Sequence, residues 1–289
     1  MSSHAKGLLI TTLGVLLVIP DALFVRLIVA EPLVTSFWRG LISGGIILLL
    51  VALFQGWAAF SAVLRTGRAG LIYILLLGST NIGFVYAITW TSVANVVFIL
   101  AAMPIFATLF SRIFLSEPIS LRMILTMAVV MAGLAVIAFG SHESDSASWQ
   151  GDLCALYVSI AYAAALTAVR RVKDVSMIPA IPIAYLGAAI VLGLITTPLP
   201  AFVPQWPLFL AHGLFIGAAS CLLTLGPRYI SAGEVSLLIL LESILAPLLV
   251  WAVIGENPGL MTLVGGAIVI SALVLSNVYA LRRRPLRDA

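Results

Sequence analysis

The chain has 289 residues, 62% of them apolar and 9% charged, with a mean hydropathy of +1.20. A soluble globule carries about 25% Asp, Glu, Lys and Arg, so soluble, disordered and disulfide-rich secreted classes are excluded, and an integral membrane protein remains. The formal charge of +4 lies in short clusters between long apolar runs, which gives no nucleic-acid-binding face.

A membrane-crossing helix needs about 20 apolar residues. Loop punctuation divides the chain into ten such segments, at 7–29, 33–54, 70–90, 93–115, 121–139, 151–170, 178–197, 207–228, 234–254 and 260–281. The first contains Asp21 and Arg26 and lacks a small-x-small cleavage site, so it reads as a span and not as a signal peptide. The runs are apolar all round, without the alternation of barrel strands, and no connection is long enough to form a soluble domain. The expected fold is all-α, with ten transmembrane helices.

Lys and Arg sort cleanly between the loops. With the N-terminus in the cytoplasm, thirteen of the fifteen basic residues fall on the inner side. The other two, Arg26 and Arg39, lie within spans 1 and 2, while the outer loops hold Glu31, Glu143, Asp145, Asp152 and Glu256. The positive-inside rule therefore places both termini in the cytoplasm.

The chain also repeats itself. At an offset of 139 residues, Thr91–Pro118 lies over Ile230–Asn257, Glu117 meets Glu256, Gly78 meets Gly217 and Asn81 meets Ser220. Spans 1 and 6 align at an offset of 144, with Gly7 over Gly151 and Arg26 over Arg170. The halves, 1–140 and 141–289, then hold five helices each. An odd number sets the second upside down relative to the first, which is an arrangement of transporters.

Two segments carry a resemblance. "AAMPIFATLFSRIFLSEP" (Ala101–Pro118) and "LLESILAPLLVWAVIGE" (Leu240–Glu256) resemble the helix-4 and helix-9 signatures of the EamA family of the drug/metabolite transporter superfamily. One departure is Ser243, which stands where that family usually has proline, with Pro247 a turn later. The resemblance implies a ten-helix basket around a cavity lined chiefly by spans 1, 3, 4, 6, 8 and 9. It also implies export of small metabolites, with aromatic amino-acid exporters as the default comparison.

Ionisable residues at membrane depth are functional candidates unless a partner explains them. Glu242 lies mid-span in helix 9, which suits a substrate amine or a coupling proton, or else a hydrogen bond to a backbone carbonyl. Asp21 and Arg39 lie about 12 and about 9 Å below the outer end. They form either a structural ion pair or, with Asp21 free, part of the substrate site. Asn81, Ser220, Tyr86 and Tyr162 complete the candidate substrate-binding set, with Tyr162 preferred over Tyr185. Pro20, Pro104 and Pro247 are the expected helix breakers. Arg26 is expected to snorkel to the outer surface, Trp38 and Trp90 to anchor at the interface, and His212 to sit near the outer face.

Absent motifs narrow the mechanism. There is no Walker sequence, H-E-x-x-H or G-x-S-x-G, and Cys154 and Cys221 form no C-x-x-C, so no cofactor or metal is expected. The combined expectation is a secondary transporter of the bacterial inner membrane, with a small-molecule substrate, the bilayer as its partner, no nucleic acid, and a monomer as the simplest assembly. Alternatives on the same fold are an importer or facilitator of S-adenosylmethionine, riboflavin or a purine, or a cationic-drug pump. An intramembrane enzyme using Asp21, Glu242 and His212 is the remaining rival.

Overall fold

The computed structural model describes residues 3–116, 118–140, 148–172, 175–225, 229–230 and 232–282. Glu117, the first-half mate of Glu256, lies outside the described residues. Thirteen helices follow in order among the described residues: α1 (Ser3–Val18), α2 (Asp21–Leu27), α3 (Pro32–Phe54), α4 (Ala58–Leu64), α5 (Arg68–Trp90), α6 (Val93–Ala101) and α7 (Met103–Leu115) in the first half, with α8 (Leu121–Gly140) closing it. The second half contains α9 (Trp149–Arg170), α10 (Ala180–Ile195), α11 (Leu199–Leu225), α12 (Ala232–Ile254) and α13 (Leu260–Arg282). Eight segments are long and apolar enough to cross a membrane, and the shorter apolar stretches Ala180–Ile195 and Leu238–Ile254 accompany them. A helix of 23 residues such as α5 rises about 35 Å, enough to cross a hydrocarbon core of about 30 Å.

Two spans are broken, and the breaks follow from proline. Pro20 has no N–H to give the carbonyl a turn earlier, and the helix stops at Val18 and restarts at Asp21. Pro104 stands in the first turn of α7, immediately after the interruption at Ala102, a position where its missing donor costs nothing. Pro247 behaves differently: α12 runs unbroken through it, so the break expected there is absent. The repeat explains the asymmetry. At the offset of 139 residues the mate of Pro104 is Ser243; the second half lacks a proline where the first half breaks, and Ser243 Oγ instead donates to the Val97 carbonyl at 3.4 Å.

The packing obeys a pseudo-twofold relation. α5 packs on α9 and its mate α11 packs on α1; α7 packs on α9 and its mate α12 packs on α1. The pairs α3–α10 and α8–α13 are their own mates. Small residues set the closeness of these crossings. A Cβ on Gly133 would stand 2.9 Å from the Gly265 carbonyl oxygen, and one on Gly265 would stand 2.7 Å from that of Gly133, which brings α8 and α13 into backbone contact.

Three apolar clusters form the interior. Val85, Ile88, Val96 and Val250 join α5, α6 and α12. Ile47, Leu77, Ala184 and Ile216 join α3, α5, α10 and α11. Phe98, Val130 and Val269 join α6, α8 and α13. Large apolar side chains also cover the outside, among them Leu53, Phe54, Phe139 and Leu194, an apolar surface far beyond the isolated patches that soluble proteins leave in water.

Candidate functional site

A compact set of buried polar groups is built where the two halves meet. Asp21 starts α2 just after the Pro20 break and is 4% exposed. Arg39 reaches it from α3 with both faces of its fork: Nε stands 3.0 Å from Oδ1 and Nη2 stands 2.6 Å from Oδ2. Bidentate geometry of this kind gives a strong charge-assisted pair, and burial makes each partner dependent on the other. The remaining arginine nitrogen donates to Asn81 Oδ1 on α5 at 2.5 Å. Asn81 Nδ2 donates to the Ser36 carbonyl at 3.0 Å, which fixes its orientation. The guanidinium also lies over the Phe84 ring, 5.2 Å from its centroid.

The second half closes the set. His212 on α11 is 0% exposed, with Nε2 2.6 Å from Asp21 Oδ1, and its ring stacks on Phe24 at 5.5 Å. Tyr185 on α10 is in polar contact with both Arg39 and Ser220. The repeat mates Asn81 and Ser220 therefore flank the Arg39–Tyr185 contact from opposite halves. Gly40 permits the approach, since a Cβ there would stand 3.0 Å from the Tyr185 carbonyl oxygen and 3.3 Å from Asn81 Nδ2.

Glu242 and Tyr162 stand beside this set. Glu242, on α12, is half-buried and within electrostatic reach of Asp21, Arg39 and Tyr162. Tyr162, on α9, also senses Tyr185. Tyr86 is elsewhere. Five residues beyond Asn81 it points about 140° away around the helix, and its ring packs edge-on against Trp90 at 4.7 Å. His212, expected as an interfacial residue near the outer face, is fully buried and paired with Asp21. Spans 2 and 7 also enter the site through Arg39 and Tyr185, outside the lining that the resemblance implied.

A second polar network ties the helix ends together on the Arg26 side. Arg26 Nε lies 2.8 Å from Glu256 Oε2, and Arg26 Nη2 donates to the Thr91 carbonyl at 2.8 Å. The Val93 N–H donates to Glu256 Oε1 at 2.7 Å. Asp152 Oδ1 accepts from Thr91 Oγ1 at 2.7 Å and from Asn95 Nδ2 at 3.0 Å, while Thr262 Oγ1 donates to Asn95 Oδ1 at 2.7 Å. The positive φ of 74° at Gly255, natural for a residue without Cβ, turns the chain so that Glu256 returns over Arg26. Arg26 is therefore engaged in the bundle and does not snorkel. Trp38 is half-buried and held, its Nε1 donating to the Pro198 carbonyl at 3.0 Å and its ring stacked on Phe202 at 4.0 Å; Trp90 is 46% exposed.

A concavity of about 1430 Å³ is an apolar groove between α8 and α13 lined by residues such as Leu125, Val129 and Ile268. Its charged lining residue is Arg122, whose Nη1 bonds to Ser276. Among the described residues no His, Cys, Asp and Glu group together as metal ligands do.

Comparisons with known proteins agree with this architecture. A solved crystal structure of a protein superposes with a TM-score of 0.67 at 17% identity, over 98% of this chain and 100% of its own; it shows a shared fold. No match is found among curated proteins. The model of the EamA-like transporter family matches twice, over residues 5–139 and 149–278, once for each half of the packing relation. The chain belongs to the EamA-like transporter family.

Proposed function

We propose that this chain is a secondary transporter moving small amine-bearing or zwitterionic metabolites, aromatic amino acids among them, out across the bacterial inner membrane by alternating access. Ten spans in two inverted units, 1–140 and 141–289, with both termini in the cytoplasm, satisfy the positive-inside distribution and account for the mirrored packing pairs. The Arg26 network then lies at the outer end. Substrate sites in such folds sit near the bilayer midplane between the repeats, and the Asp21–Arg39–His212 set, drawn from both halves, is the polar group that suits that place.

One observation carries the choice of substrate class. Glu242 is a second acid beside the site, within electrostatic reach of Arg39, whose guanidinium is already matched by Asp21. A half-buried carboxyl whose neighbouring arginine is committed elsewhere is the natural partner for a substrate ammonium. Tyr162, sharing its space, offers an aromatic face, and Ser220 beside Tyr185 offers a hydroxyl for the substrate's polar end. Import or facilitated movement uses the same site, because gradients decide direction.

Purified protein in liposomes, given labelled amino acids, nucleobases and cationic drugs with and without a pH gradient, tests the proposal. Aromatic and other α-amino acids should move, and excess unlabelled amino acid should compete. Movement of nucleobases or cationic drugs alone would reassign the substrate class, and movement of nothing in the panel would overturn it.

A further inference from the structure

We propose that His212 is a proton-binding site of this transporter, and that Nδ1 is the atom that takes the proton. Within the central set, few atoms can accept one. Both Asp21 oxygens are occupied, by Arg39 Nε and His212 Nε2 at Oδ1 and by Arg39 Nη2 at Oδ2. Asn81 uses its oxygen for Arg39 and its nitrogen for Ser36, and a guanidinium has no acceptor at all. His212 Nδ1 is different: it is buried and has no hydrogen-bond partner.

The tautomer follows from the carboxylate. Nε2 must carry the hydrogen that it donates to Asp21 at 2.6 Å, so Nδ1 of the neutral ring carries the lone pair. A proton arriving there forms an N–H bond from that lone pair and breaks no existing hydrogen bond. The imidazolium still donates to Asp21 through Nε2, now as a charge-assisted bond, and the Phe24 ring stacked at 5.5 Å favours the cation.

The surrounding charges make such a proton tolerable. α11 packs on α1, α2 and α3. From these come Asp21 and Arg39, together with Arg26, which is engaged by Glu256, and His4 and Lys6 at the far end of α1. Beyond them, Glu242 shares the field of Asp21 and Arg39, as does Tyr185. Asp21 and Arg39 cancel. The interior is then neutral with His212 neutral and Glu242 protonated, and neutral again with His212 protonated and Glu242 ionised. A proton on His212 thus goes with a Glu242 carboxylate free to hold a substrate amine. Because His212 belongs to the second half and Asp21 to the first, the proton also strengthens a bond between the moving units. At 0% exposure the ring is sealed in this state, so the proton exchanges with bulk only when the halves separate.

The binding of the proton stands apart from the transport proposal; only its consequence for substrate rests on that reading. The test keeps His212 intact. The chain has three histidines, so His4→Ala with His142→Ala leaves His212 alone, labelled with ¹⁵N in the ring and held in lipid nanodiscs. On acidification from about pH 8 to about pH 5, Nδ1 should pass from the lone-pair to the N–H chemical-shift range while Nε2 stays protonated. Adding Asp21→Asn should move that change to lower pH, since the carboxylate no longer stabilises the cation. A ring whose Nδ1 never gains a proton in this interval, or whose titration ignores Asp21→Asn, would overturn the proposal while leaving the liposome result standing. In parallel, amide exchange in α2 and α11, corrected for its intrinsic pH dependence, should slow on acidification in the wild type and not in His212→Gln; equal slowing in both counts against the link between halves.

Discussion

Arg26 and Glu256 form an ion pair, Nε to Oε2 at 2.8 Å, that joins the first span of one half to the fourth span of the other. By the repeat alignment their mates are Arg170 and Glu117; in the proposed inverted topology Arg170 stands at the opposite end, and its Nη1 donates to Ser111 Oγ at 2.8 Å. In the proposed orientation the pair lies at the outer end, and an outward opening has to separate Arg26 from Glu256. The side chains are 18% and 10% exposed, so the pair is only partly shielded, and its loss should favour opening by about 1–2 kcal/mol, roughly tenfold in the open population.

That estimate gives the first prediction. In a background lacking Cys154 and Cys221, a Leu23→Cys probe should label about tenfold faster from the outer side when Arg26→Gln or Glu256→Gln is added. The charge swap Arg26→Glu with Glu256→Arg should return the rate toward that of the parent. A swap that labels as fast as the single variants would mean that the pair does not hold the end closed.

The Asp21–Arg39 pair makes a different prediction, read in stability. Removing one partner of a buried pair strands the other, at a cost of about 3–5 kcal/mol. Asp21→Asn and Arg39→Gln should each lower the thermal unfolding midpoint in detergent sharply, and the double variant should recover much of the loss. Arg39→Lys should behave like a loss, because an ammonium cannot hold Asp21 bidentately and reach Asn81 as well. Simple additivity in the double variant would show that the two residues act separately.

Glycines give a contrast within one molecule. A Cβ on Gly151 would stand 2.5 Å from the Thr91 backbone nitrogen, with no flexible side chain to yield, whereas one on Gly217 would meet Ile46 at 3.4 Å, an ordinary contact. Gly151→Ala should therefore destabilise by about 1–3 kcal/mol, and Gly217→Ala should stay close to the wild type. Equal unfolding midpoints for the two variants would contradict the close approach of α9 to the α5–α6 turn.

The apolar helices were legible in the sequence because apolar length and loop punctuation are local signals, and among the described residues eight of the ten expected spans are long and apolar enough to cross a membrane. The boundaries 93–115 and 234–254 nearly coincide with α6–α7 and α12. The depth of a residue within a span was harder to read. His212 lies seven residues past the kink at Gln205, where φ is −125°, close to where span 8 was taken to start; what the sequence did not show is that α2 restarts beside it and brings Asp21 to its Nε2 at 2.6 Å. Gln205 holds that bend by pairing its amide with the Val29 backbone at 2.8 and 3.0 Å, a long-range contact that no periodicity reveals. Tyr185 was ranked below Tyr162 because span 7 was not expected to line the cavity. It enters through the close α3–α10 crossing that Gly40 and Gly44 permit, and a glycine states that something comes close without saying what. Asp21 and Arg39 could be paired from sequence since opposite charges at matched depth have few other partners in a membrane. Arg26 could not be assigned, because Glu256 reaches it only through the turn at Gly255.

The last prediction concerns Glu242, the acid that the Asp21–Arg39 pair leaves over. If it holds the substrate ammonium and exchanges a proton against it, Glu242→Gln should preserve shape and hydrogen-bonding capacity while removing both the charge and the titration. The variant should insert, and it should unfold within a degree or two of the wild type, since surrounding groups lose no partner. In liposomes it should fail to move amino acids, or move them at a rate that no longer varies with pH. Tyr162→Phe separates the two contributions: it keeps the aromatic face and the acid, so transport should persist with a preserved pH profile. Asp21→Asn should damage folding and function together, whereas Glu242→Gln should damage function alone. Wild-type rate and wild-type pH profile in Glu242→Gln would make this carboxyl a structural group and shift the substrate contact to Ser220 and Tyr185, the pair that faces Arg39 from the second half.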